Sequence, residues 1–284
     1  MGKAALVFAG MVAVAVGSAV NVSMTAKRNA DLHYWAQDGN VVKTRELLDA
    51  GANPNATLVG GRTALMNAAQ DGNVEIAGIL ITAGANPNAA GRDGLTALKY
   101  AAKEGHIEIA EMLLASGANP NVTSHSNRSA LMHAAREGHI DIVQALLAAG
   151  AELNAASRGG FTALMLASHR GHFTIAQTLL AAGADSNAVR DNGVTALMHA
   201  SHKGHLDIIQ MLLVAGAELN ARGQQNWTAL MYATKEGNTE VVKLLLAEGA
   251  DVSLKGEAGK TALDVAKEIE KTEIVGMLEA AGEK

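Results

Sequence analysis

Histidine is the side chain in this sequence best suited to chemistry, and its ten copies are regularly placed. His169 and His172, and again His202 and His205, form HxxH pairs, while His199 and His202 share a helix face at i, i+3. Imidazoles so spaced can build a zinc site or a pH sensor. Zinc requires three or four convergent ligands. His106, His139, His172 and His205 each follow a glycine that recurs every 33 residues, so the second member of each pair belongs to a repeating turn. No metal and no cofactor are therefore expected, and a histidine-based metal or pH sensor is kept as a remote alternative. The run Gly256-Glu257-Ala258-Gly259-Lys260-Thr261 imitates a phosphate-binding loop, but that loop needs glycine at the position of Leu254. Cysteine is absent, which removes thiolate ligands, thiol nucleophiles and disulfides. No Ser-His-Asp set or carboxylate pair stands out, so the chain is read as no enzyme.

The elements that position these residues repeat. Thr63, Thr96, Ser129, Thr162, Thr195, Thr228 and Thr261 are each followed by Ala-Leu at a constant interval of 33 residues. Gly72, Gly105, Gly138, Gly171, Gly204 and Gly237 keep the same interval, as do Gly84, Gly117, Gly150, Gly183, Gly216 and Gly249. Each period reads as helix, turn, helix, loop. The Thr or Ser caps the first helix, Gly-His breaks the chain, and the second helix carries Ile or Val and then Leu pairs. Helices of about 8 to 10 residues are marginal alone, so stacking must supply the burial. Aromatic residues are 3% of the chain, which suits close packing through Ala and Leu.

At these residues the sequence resembles the ankyrin repeat family, in the bacterial-type Thr-Ala-Leu-Met form, over about residues 30–284. The resemblance implies an all-α solenoid of helix-turn-helix units joined by β-hairpin loops, about eight units including caps. Units are expected at 30–61, 62–94, 95–127, 128–160, 161–193, 194–226, 227–259 and 260–284, behind a 20–29 linker. It further implies that each turn histidine bonds backbone carbonyls. It implies a non-catalytic scaffold that holds another protein or peptide through hairpin tips and a concave groove.

The tip position, just before each capping Thr or Ser, carries Leu95, Arg128, Phe161, Val194 and Trp227, and exposed hydrophobes there read as contact anchors. The groove positions, four, seven and eight residues after the cap, carry Tyr100, His133, Arg136, His169, Arg170, His199, His202, Lys203, Tyr232 and Lys235. Arg128, Arg136, Arg158, Arg170 and Lys203 with His169 and His202 are expected to make a basic centre. That centre opposes the chain's net charge of −5 and would suit an acidic partner surface. His169 and His202 are expected to add charge below about pH 6.5. A nucleic-acid partner is not expected.

Residues 1–19 read as a signal peptide. Lys3 precedes an apolar run from Ala4 to Gly17, and Gly17-Ser18-Ala19 offers small residues at the cleavage positions. Export to the periplasm or exterior is expected. The alternative is a membrane-anchored accessory subunit held by residues 4–20, where Ala5, Ala9, Ala13 and Gly17 form a small-residue stripe.

Overall fold

The computed structural model describes residues 24–58 and 60–283, so the expected signal or anchor over 1–19 lies outside the described residues. No described helix is long and apolar enough to cross a membrane. Residues 24–38 form helix α1, so 24–29 belong to a helix where a linker was expected. Side chains from this segment hold it against the first repeat. Arg28 donates to the Ala50 carbonyl, and Asn29 Oδ1 accepts from the Asn53 amide at 2.8 Å.

After α1 and α2 (Val41–Asp49), helices come in pairs. The first helices are α3 (Ala64–Asp71), α5 (Ala97–Glu104), α7 (Ala130–Glu137), α9 (Ala163–Arg170), α11 (Ala196–Lys203), α13 (Ala229–Glu236) and α15 (Ala262–Glu268). The second helices are α4 (Val74–Thr82), α6 (Ile107–Ala115), α8 (Ile140–Ala148), α10 (Phe173–Ala181), α12 (Leu206–Val214), α14 (Thr239–Ala247) and α16 (Thr272–Gly282). Every capping Thr or Ser accepts from the amide three residues on, as Thr162 Oγ1 does from Met165 at 3.3 Å. The Ala-Leu start is buried in each internal repeat, with Leu65, Leu98, Leu131, Leu164, Leu197 and Leu230 at most 2% exposed. Small Ala neighbours let successive first helices approach closely.

The recurrent Gly-His explains itself in the packing. Gly72, Gly138 and Gly171 end their helices at φ 76°, 93° and 79°. A Cβ on them would fall 2.6, 2.8 and 2.6 Å from the ring of His106, His172 and His205, one repeat on. These rings bond the carbonyls of Gln70 at 3.2 Å, Arg136 at 3.0 Å and His169 at 3.4 Å. Each histidine thus fills the space left by the preceding repeat's missing side chain. The recurrent Asn also bridges repeats: Asn187 Nδ2 donates to the Gly216 carbonyl at 2.9 Å while its Oδ1 accepts from the Glu218 amide at 2.7 Å.

The expected β-hairpins are turns. Among the described residues the loops hold only the isolated bridges Thr57–Thr63 and Ala90–Thr96. Each loop closes tightly on the carbonyl just before the cap, as Ser157 does on Phe161 at 2.9 Å, which leaves too few residues for strands.

The described chain falls into two compact units, one ending at Asn119 and one starting at Pro120. In the first, α3 packs on α5 and α4 on α6. In the second, α7, α9, α11, α13 and α15 pack in series, backed by α8, α10, α12, α14 and α16.

Candidate functional site

The first-helix face of the N-terminal unit is closed by its own side chains. Arg62 donates to Asn67 Oδ1 at 3.0 and 2.8 Å, to Gln70 Oε1 at 2.6 Å and to Tyr100 Oη at 2.6 Å. Tyr100, expected in the groove surface, is 7% exposed and serves as this cation's partner instead.

In the C-terminal unit several expected contacts are likewise committed. Val194 is 6% exposed, because Gly223 of the next loop approaches its backbone, so it is no tip anchor. His133 is buried at 8%. Arg136 pairs with Glu137 at 3.3 Å, which takes it out of a free basic centre. His202 Nδ1 lies 3.3 Å from the Glu236 carboxylate.

What remains is a strip across α9, α11 and α13. The Phe161 ring, half-buried at its tip, stacks on His199 with centroids 5.6 Å apart. The Arg190 guanidinium lies 3.7 Å from the same Phe161 centroid. His199 meets His169 edge to face at 5.2 Å, and His202 meets Tyr232 likewise at 6.1 Å. Tyr232 contacts Trp227 at 5.4 Å, and Lys235 Nζ stands 5.3 Å from the indole centroid. Arg170 and Lys203 are exposed at the edge of the strip.

The electrostatics follow from this crowding. Burial, then the positive surroundings of His169, Arg190, His202 and Lys203, pushes the His199 imidazole down to about 3. Burial, then Lys203 and Arg170, also holds His169 below its ordinary value. Both rings are neutral near pH 7. The expectation that His169 charges below about pH 6.5 is corrected accordingly: its protonation needs more acid. His169 Nδ1 and His199 Nε2 are buried with no hydrogen-bond partner among the described residues. No group of three His, Asp or Glu able to hold a metal occurs among those residues.

A family model for ankyrin repeats in three copies matches residues 32–124, 116–190, 174–256 and 197–282. The chain belongs to the ankyrin repeat family. No curated protein matched it. Ankyrin repeats are in general non-catalytic scaffolds for protein–protein interaction.

In ankyrin register the strip comprises Phe161 and Trp227 at tips, with His169, Arg170, His199, His202, Lys203, Tyr232 and Lys235 on first helices. Leu95 and Arg128 are half-exposed tips. The phosphate-loop imitation is a turn, Gly259 donating to the Gly256 carbonyl at 2.9 Å, followed by the Thr261 cap. Arg190 was missed because it lies outside the tip and groove positions. Its signal was a cation where the other repeats carry Gly91, Ser124, Ser157, Gly223 and Gly256. Glu236, 3.3 Å from His202, stands eight residues after its cap, a groove position that residue type alone did not single out.

Proposed function

We infer that this ankyrin protein is a non-catalytic scaffold that binds a protein or peptide on the first-helix face of α9, α11 and α13. One observation carries the reading. Phe161, His199, Tyr232 and Trp227 form a half-exposed aromatic series, flanked by Arg170 and Lys203, whose own repeats offer no adjacent carboxylate. Large rings on a rigid frame are the side chains that dominate interface energetics. The test is photo-crosslinking with benzoylphenylalanine at Phe161 or Tyr232, against the same probe at Val214, which is 91% exposed on a second helix. A partner recovered from the first two positions and not the third supports the site; equal recovery from Val214 removes it.

We also propose export, on the strength of the basic start, apolar run and small-residue exit of residues 1–19. Anchoring by residues 4–20 is favoured instead by the stripe Ala5, Ala9, Ala13, Gly17. N-terminal sequencing of the mature protein decides: a start near Val20 means cleavage, and an intact Met1 means an anchor.

A further inference from the structure

We propose that the occupant of the α9–α11 face is an acidic, proline-containing segment with carboxylates three residues apart, one on Arg170 and one on Lys203. The proposal deepens the scaffold reading above and rests on it. Eight residues after their caps, the repeats carry Asp71, Glu104, Glu137, Arg170, Lys203 and Glu236. Where a carboxylate holds this position it can neutralise a neighbour: Glu104 lies 2.7 Å from Lys103, Glu137 3.3 Å from Arg136, and Glu236 3.3 Å from His202. On α9 and α11 the same position is an exposed cation preceded by histidine. Among the described residues Arg170 and Lys203 enter no ion pair, and after burial these two cations are the next causes that lower the proton affinity of His169.

The spacing selects the conformation. Arg170 and Lys203 are equivalent positions on helices that pack directly, so their backbones stand about 8–10 Å apart. In a polyproline II segment, residues i and i+3 face the same side about 9.3 Å apart, at about 3.1 Å per residue. Same-face neighbours i and i+2 in a strand are only about 6.7 Å apart, and i, i+4 pairs on a helix about 5–6 Å. On the same two helices the rings of His169 and His199 meet edge to face, with Phe161 stacked on His199. Aromatic surfaces of this kind receive polyproline II segments, whose conformation is pre-formed. The neighbouring charges include Arg190, beside Phe161, the Arg136–Glu137 pair on α7, and Glu236 and Lys235 on α13, with Glu236 lying 3.3 Å from His202 of α11.

The experiment uses the full chain and fluorescein-labelled peptides carrying Glu-Pro-Ala-Glu within a Pro-Ala frame. Control peptides carry Gln for Glu, or Glu pairs one or five residues apart. Anisotropy titrations are run at about 0.05 M and about 0.3 M salt, between which screening tightens markedly. The three-spaced Glu peptide should bind at least about 5-fold more tightly than each control. The double reversal R170E/K203E should weaken it about 10-fold or more, with salt removing most of the difference. Both residues are exposed, so the reversal should leave the melting temperature unchanged, which is measured alongside. Equal binding of the Gln peptide, no saturation at millimolar peptide, or an affinity indifferent to the reversal overturns the proposal. A short single-stranded DNA that binds more tightly and responds to the same reversal overturns it in favour of a nucleic acid. If the Phe161 crosslink still captures a partner after R170E/K203E, this inference falls while the scaffold site stands.

Discussion

His199 lies on the ring of Phe161, centroids 5.6 Å apart and planes within 21°. A tip residue of one repeat thus buries a titratable side chain of the next. The imidazole pushed down to about 3 must stay neutral in the fold, whereas in the unfolded chain it titrates near 6.5. Stability rises with pH wherever the unfolded state binds more protons, here between about 3 and 6.5. The protein should therefore lose stability as pH falls below 6.5, by roughly 2 kcal/mol at pH 5 from this residue alone. His199→Leu, copying Leu166 of the preceding repeat, should flatten that acid limb in urea titrations. An unaltered pH slope would show that His199 takes its proton freely in the fold.

Lys99 occupies the position held by Met in the other internal repeats and is 1% exposed, its Nζ donating to the Gly94 carbonyl at 2.7 Å. Burial pulls it down to about 8, against the opposing pull of Asp93. The unfolded chain binds the extra proton up to about 10.5, so the penalty is complete below about 8 and fades as pH rises to 10.5. Lys99→Met should raise stability by about 1–3 kcal/mol at pH 7. The gain should shrink at pH 10, as thermal melts at the two values will show.

Ser168 and Ser201 are fully buried on α9 and α11, and their hydroxyls have no partner among the described residues. Ala69, Ala102 and Ala135 hold the same position elsewhere. Removing an unmatched hydroxyl and gaining helix propensity should make Ser168→Ala and Ser201→Ala each more stable by about 1 kcal/mol. Destabilisation in chemical denaturation would mean that the hydroxyl is bonded.

Asn187 joins two repeats through the Gly216 carbonyl and the Glu218 amide. Asn187→Ala should cost about 1–2 kcal/mol, reduced from the sum of two bonds because the site is exposed. It should also broaden the unfolding transition, since in a linear array neighbour coupling sets cooperativity. An unchanged transition width would assign the coupling to the helices.

Leu164→Ala, at 2% exposure, should cost about 2–5 kcal/mol. Trp227 contacts Tyr232, and a Cβ on Gly256 would fall 3.1 Å from its indole, so the ring packs on the next loop as well as facing solvent. Trp227→Ala should therefore cost about 1–3 kcal/mol. A loss below that range in melting experiments would make the indole a pure contact residue.

By itself the sequence determined the repeat. A strict interval of Thr-Ala-Leu, Gly-His and Gly-Ala fixes caps, breaks and buried faces, because each is a local demand met by one or two residue types. The turn role of His106, His172 and His205 was legible for the same reason, since each follows its repeat's glycine. What the tertiary structure decided is which side chains of the variable positions remain available. Val194 and Phe161 stand at the same register position, yet Gly223 approaches one and Arg190 and His199 flank the other. Tyr100 and Tyr232 likewise share a register, and Arg62 occupies only the first. These outcomes depend on pairs about one repeat apart, whose identities vary independently along the chain. Periodicity sets where a side chain starts, and only packing against the next repeat sets what it can still touch.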